Sequence, residues 1–114
     1  VGEYGILRGK EVIELTFEEY LKTPAQLKGS HRIERTIMSN GMVVSTVFLC
    51  INHKFGNGPD LWFETMVFPK ENEYRELHTD RYTTYDEAIE GHNRICYMVT
   101  SGKIKLNNEE GEEE

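Results

Sequence analysis

The chain has 114 residues, 38% of them hydrophobic and 11% aromatic, which suffices for one buried core and not two, since domains usually take about 50–200 residues. Its formal charge of -7 comes from 20 acidic against 13 basic residues, but five of the acids are Glu109, Glu110, Glu112, Glu113 and Glu114, and without them the balance is 15 to 13, or -2. A body so nearly neutral argues against general nucleic-acid binding, and no run approaches the roughly 18 apolar residues that cross a bilayer.

Lys10, Lys22, Lys28, Arg32 and Arg35 in the first third of the chain still leave room for a local basic patch. The opening Val1-Gly2-Glu3-Tyr4 lacks the basic and then apolar segments of an export signal. Cys50 and Cys96 stand in no ligand spacing; one disulfide between them is possible, and the plainer reading is two buried, reduced thiols. These features together point to a cytoplasmic protein without a membrane partner.

Tyr4 to Leu7 and Glu11 to Leu15 are short β-like pieces around Gly9 and Lys10, predicting a hairpin or a loose edge. Thr16-Phe17-Glu18-Glu19 has capping-box spacing, so a short helix follows through Leu21. Thr23-Pro24 ends it, because the residue before proline is pushed out of the α region. Arg32 to Met38 and Met42 to Cys50 are β-rich runs about Asn40-Gly41, a pair suited to a two-residue type I′ turn. That turn sets Ile37 opposite Val44, Arg35 opposite Thr46 and Ile33 opposite Phe48. The core side then holds Ile33, Ile37, Val44, Phe48 and Cys50.

Asn52 to Asp60, with two glycines and a proline, cannot continue a central strand. Leu61 to Phe68 resumes one with two largely apolar sides, Glu64 being the polar exception. A polar turn from Pro69 to Tyr74 leads to a short strand within Arg75 to Tyr82. The strongest helix signal comes last: Thr84 as N-cap, Glu87 in the reciprocal position, and apolar residues at Tyr85, Ala88, Ile89, Ile95, Cys96 and Val99. Gly91 weakens its middle by about 1 kcal/mol relative to alanine, and Ser101-Gly102 closes it.

The expected architecture is α+β, an antiparallel sheet of three to five strands with one C-terminal helix on one face. It forms one domain over residues 1–106, with 1–30 a peripheral hairpin or short helix and 31–102 the core. Residues 107–114 form an acidic tail with no apolar side chain to offset the entropy of ordering.

Three stretches carry a resemblance: Val44-Ser45-Thr46-Val47-Phe48-Leu49 with Asn52-His53-Lys54-Phe55-Gly56, then Phe63-Glu64-Thr65-Met66-Val67-Phe68, then Tyr82-Thr83-Thr84-Tyr85-Asp86-Glu87-Ala88 with Gly91-His92. The FETMVF and HxFG motifs among them resemble a family of small uncharacterised proteins of bacteriophages, prophages and some bacteria. The likeness covers about the last two thirds of the folded part. It departs at Pro59-Asp60, where a more apolar Gly-Pro-Pro run is expected, and it implies an origin without a mechanism.

Two readings of function follow from the residues. In the first, a single helix shields only one side of the sheet, and Phe55, Trp62, Phe63 and Tyr74 leave an aromatic surface for a partner, either a host protein or a second copy of the chain. The reading is of a small phage-type binding protein that modulates a host component. The alternative is a small enzyme built on His53, Glu64 and His92, with His92 a general base oriented by Glu64, or all three in a two-histidine, one-carboxylate metal site. Without a catalytic or partner role, Glu64 and His92 form a buried pair that fixes how helix and sheet meet. No cofactor or metal is expected, since HExxH, CxxC and a Gly-Lys-Ser/Thr phosphate loop are all absent.

Overall fold

The computed structural model describes residues 2–106; the expected acidic tail, 107–114, lies outside them. Strands β1 (Tyr4–Arg8) and β2 (Glu11–Leu15) pair antiparallel around Gly9, whose φ of 63° turns the chain. Helix α1 (Phe17–Leu21) follows from the expected capping box: the Thr16 hydroxyl accepts from the Glu19 N–H (3.1 Å) and the Glu19 carboxylate accepts from the Thr16 N–H (2.8 Å). A single 3₁₀ turn, Ala25–Leu27, leads out of it after Pro24.

The main sheet has four strands in sequence order, β3 (His31–Ile37), β4 (Val43–Phe48), β5 (Phe63–Phe68) and β6 (His78–Tyr82), all antiparallel. Helix α2 (Tyr85–Thr100) packs across one face. Thr84 caps it as the sequence indicates, accepting from the Glu87 N–H at 3.1 Å, and Gly102 closes it at a φ of 83°. The α+β architecture with a C-terminal helix on one face of the sheet is therefore observed, joined by a separate two-stranded sheet.

The β3–β4 connection differs from the type I′ turn. Three residues, Ser39-Asn40-Gly41, form the loop, and only Gly41 has a positive φ (93°). The Met38 N–H donates to the Met42 carbonyl (2.7 Å) and the Gly41 N–H to the Met38 carbonyl (2.8 Å), a three-residue hairpin with glycine at the left-handed position. Asn40 uses its side chain instead, Oδ1 accepting from the Met42 N–H at 3.0 Å, and Met42 goes fully into the core. The register moves by one residue: Ile37 opposes Val43, Thr36 opposes Val44 and Glu34 opposes Thr46, with an irregularity between Arg32 and Glu34. Because strand side chains alternate between faces, that slip turns Ile37 outward, 49% exposed, and Thr36 toward the helix.

Two apolar clusters hold helix and sheets together. Met42, Val44, Val67, Ile95, Val99 and Ile104 fill one end. Phe48, Trp62, Phe63, Tyr82 and Ala88 fill the other, where Leu7 and Val12 of the N-terminal hairpin join them. Trp62 lies so close to Gly5 that a Cβ there would stand 2.8 Å from its ring. The hairpin thus closes the sheet end beside the start of α2, where Lys10 sits over the Tyr85 ring (5.6 Å) and 3.6 Å from Asp86.

Candidate functional site

Val44, Thr46 and Phe48 of β4 and Phe63, Thr65 and Val67 of β5 are fully buried toward α2. Alternation sends Val43, Ser45 and Val47, and Glu64, Met66 and Phe68, to the opposite face. Among the described residues no helix or second sheet packs on that face. Val43 and Glu64 on it are nonetheless buried, and the turn after β5 lies over the end that holds Val43 and Phe68.

That turn builds a groove. Lys70 and Glu73 pair across it, and Asn72 takes a φ of 65°, a left-handed conformation that asparagine tolerates better than most residues. The turn carries Lys70, Glu71 and Tyr74 over Val43 and Phe68, and Arg32 and Arg35 approach from β3, enclosing about 110 Å³. Tyr74 packs edge-on against Phe68 (centroids 5.7 Å apart) yet is 75% exposed. Glu71 accepts from Arg35 at 3.0 Å. Among the described residues no carboxylate lies within ion-pair distance of Arg32 or Lys70.

The proposed triad does not assemble. His53 sits exposed in the β4–β5 loop, where its backbone N–H donates to the Leu61 carbonyl (3.0 Å). That loop is organised by Asn52, whose Oδ1 accepts from the N–H groups of Lys54 and Leu61 (2.9 Å each) while Nδ2 donates to Asp60 (2.9 Å). Glu64 points to the outer face and accepts from Arg81 Nε at 2.9 Å. His92 points to the inner face from α2, so the expected Glu64–His92 contact is replaced on both sides. Among the described residues no group of three or more His, Cys, Asp and Glu side chains is placed to hold a metal ion.

His92 has threonines instead. Its Nε2 lies 2.9 Å from Thr36 Oγ1 and its Nδ1 2.7 Å from Thr46 Oγ1, which in turn is 2.5 Å from Thr65 Oγ1. Neutral imidazole offers one donor and one acceptor, and hydroxyls supply either role. Burial pulls the His92 pKa below its ordinary value, opposed by the nearby Glu34 carboxylate. At 1% exposure the ring meets no substrate, so the network pins α2 to β3, β4 and β5. Sequence reasoning passed over Thr46 and Thr65, although each is the polar member in the middle of an apolar strand face, level with the histidine on the helix stripe. Cys96, one turn further along α2, is held protonated by burial, which raises its pKa.

Of the four aromatic candidates, two are exposed. Phe55 is 89% and Tyr74 75% exposed. Trp62 and Phe63 are not, at 2% and 0%, because the N-terminal hairpin and α2 cover the end of the sheet where they lie. A wider cleft of about 330 Å³ opens between β6 and α2. Its charges are committed or mixed: Arg81 holds Glu64, Glu87 caps α2, and Glu90 and Arg94, one turn apart on α2, line the same wall with opposite charges.

No family model, curated protein or solved structure matches the chain. No helix among the described residues is long and apolar enough to cross a membrane.

Proposed function

We propose that the chain is a small interaction protein of phage type that modulates a host component, and that it binds its partner with the uncovered face of the four-stranded sheet. One observation carries this reading: Arg32, Lys70 and Tyr74 stand together on a face that no element covers, and neither cation has an ionic partner among the described residues. Arginine and tyrosine are the residue types that most often anchor interfaces, and here they rim an apolar floor of Val43 and Phe68. The phage origin and the host partner rest on the FETMVF and HxFG resemblance.

The test is capture from a host lysate on immobilised full-length chain, with Tyr74→Ala, Arg32→Glu and Phe55→Ala run in parallel and thermal melts as the control for folding. A protein retained by the parent chain should be lost with the first two variants and kept with Phe55→Ala, which lies in the β4–β5 loop. Equal retention by the parent, Tyr74→Ala and Arg32→Glu chains would reject the outer face as the binding surface.

A further inference from the structure

We propose that the groove on the outer sheet face takes an acidic, partly apolar peptide segment of a partner protein, with one glutamate or aspartate side chain of that segment held between Arg32 and Lys70. The inference rests on the proposed use of that face and adds the chemistry of what it holds.

The backbone aims the cations. Arg32 and Arg35 are three apart, so an unbroken strand would send them to opposite faces. The irregularity between Arg32 and Glu34 admits Ile33 as an extra residue, so that Arg32 lies opposite Val47 and Arg35 opposite Ser45, both of the outer face. Ile33 itself packs against the cluster of Phe48 and Trp62. On the far rim the left-handed Asn72 turns the chain, and Lys70 and Tyr74 on either side of it border the same space. Two departures from regular backbone thus bring three cations to one groove.

Those cations exceed the carboxylates supplied to them. Arg35 donates to Glu71 at 3.0 Å, which shows a carboxylate recognised at this rim. Arg32 and Lys70 have none among the described residues. Like charges around a small space repel, and an anion placed between them turns that repulsion into attraction. Ser45 and Asn72 line the groove too and offer hydrogen bonds to a carboxyl group or to the backbone beside it.

The rest of the lining favours a peptide over a phosphate chain. Val43, 3% exposed, and Phe68 form an apolar floor, and the Tyr74 ring stands edge-on to Phe68. Such a floor gains from the methylenes and apolar neighbours of an acidic side chain. Glu71 puts a fixed negative charge on the rim, which repels a polyanion, and a nucleic-acid backbone needs cations spread along its length, not one cluster.

Amide NMR titration of the full chain at low salt tests this with the capped peptide Gly-Leu-Glu-Leu-Glu-Gly. The amides of Arg32, Ser45, Lys70, Asn72 and Tyr74 should shift as peptide is added, those of β1 and β2 should stay, and high salt should reverse the shifts. The capped peptide Gly-Leu-Gln-Leu-Gln-Gly should bind about tenfold more weakly. Arg32→Gln and Lys70→Gln, each at an exposed position, should lower affinity for the glutamate peptide by a similar factor, with the β1 and β2 amides unmoved as the control for folding. Equal binding of the glutamate and glutamine peptides, shifts confined to another surface, or no shifts at all would overturn the site. Tighter binding by a single-stranded oligothymidylate of the same net charge would overturn it in favour of a nucleic acid. Groove shifts as expected, together with lysate capture that ignores Tyr74→Ala and Arg32→Glu, would uphold the acidic-peptide site and reject this face as the surface that captures the partner. Capture that needs both residues, with no peptide shifts, would keep the face and overturn the acidic class.

Discussion

The Tyr82 ring lies on the backbone of Gly91, so close that a Cβ at position 91 would stand 2.3 Å from the ring and its hydroxyl oxygen. Helix propensity alone favours alanine there by about 1 kcal/mol. Packing reverses the sign, because Tyr82 is 7% exposed and held by β6, so it cannot step aside. Gly91→Ala should therefore destabilise the chain by about 1–3 kcal/mol, the usual cost of overpacking. A denaturant midpoint equal to or above that of the parent would show that helix and strand can part without cost.

The Tyr82 hydroxyl is itself buried and makes no hydrogen bond of good geometry among the described residues; burial raises its pKa, and the hydroxyl of Thr65 opposes that rise. Tyr82→Phe removes that group and keeps the ring on Gly91. Its stability should match the parent or exceed it by up to about 1 kcal/mol, since an unsatisfied buried hydroxyl is a desolvation cost with no return. A loss of more than about 1 kcal/mol in urea unfolding would reveal a hydrogen bond to that oxygen.

Local chemistry was readable in the sequence, and one residue of register was not. Both capping boxes, at Thr16 and Thr84, bond as their spacing indicates, because a cap depends only on residues within four positions. The Asn40-Gly41 pair marked the hairpin, yet a two-residue and a three-residue loop use the same dipeptide. Tertiary packing chose between them by drawing Met42 into the core. From that single step followed the outward turn of Ile37 and the inward turn of Thr36, and with it the true partner of His92. Trp62 and Phe63 were misread as surface for a related reason: the hairpin that covers this end of the sheet is remote in sequence, so nothing local reports its docking.

His92 makes stability depend on pH with a definite sign. Burial holds its folded pKa below the ordinary 6.5, with Glu34 opposing. The unfolded chain therefore takes up a proton that the folded chain refuses, so stability is full above that value and falls as pH drops below it, until the folded pKa is reached. The slope cannot exceed about 1.4 kcal/mol per pH unit for one group. Urea midpoints between about pH 7.5 and 5.5 should fall for the parent and flatten for His92→Gln, which keeps a donor and an acceptor at lower overall stability. Parallel pH profiles for the two chains would remove His92 as the source.

Glu64 and Arg81 are unequal partners, the carboxylate 6% and the guanidinium 42% exposed. Removing the arginine strands a buried charge, which costs about 3 kcal/mol or more for buried pairs, whereas removing the glutamate returns an arginine to water. Arg81→Ala should destabilise the chain well beyond Glu64→Leu, which should be nearly neutral. Equal losses in thermal or chemical melts would mean that Glu64 keeps water or another donor when Arg81 is gone.

The docking of α2 is tested most directly at Ile95, which is 0% exposed among Met42, Val44, Val67, Val99 and Ile104. A carboxylate placed there has no partner and must be desolvated or keep its proton, at a cost of several kcal/mol. Against the roughly 5–15 kcal/mol that stabilises an ordinary domain, Ile95→Asp should leave a chain without a cooperative melt. Tyr97 stands two residues on and is 66% exposed, so Tyr97→Asp should stay within about 0.5 kcal/mol of the parent. The pair separates loss of the buried stripe from loss of helix propensity, because both substitutions put the same residue into the same helix. Equal melting temperatures for Ile95→Asp and the parent would mean that the helix does not hold the sheet by this face.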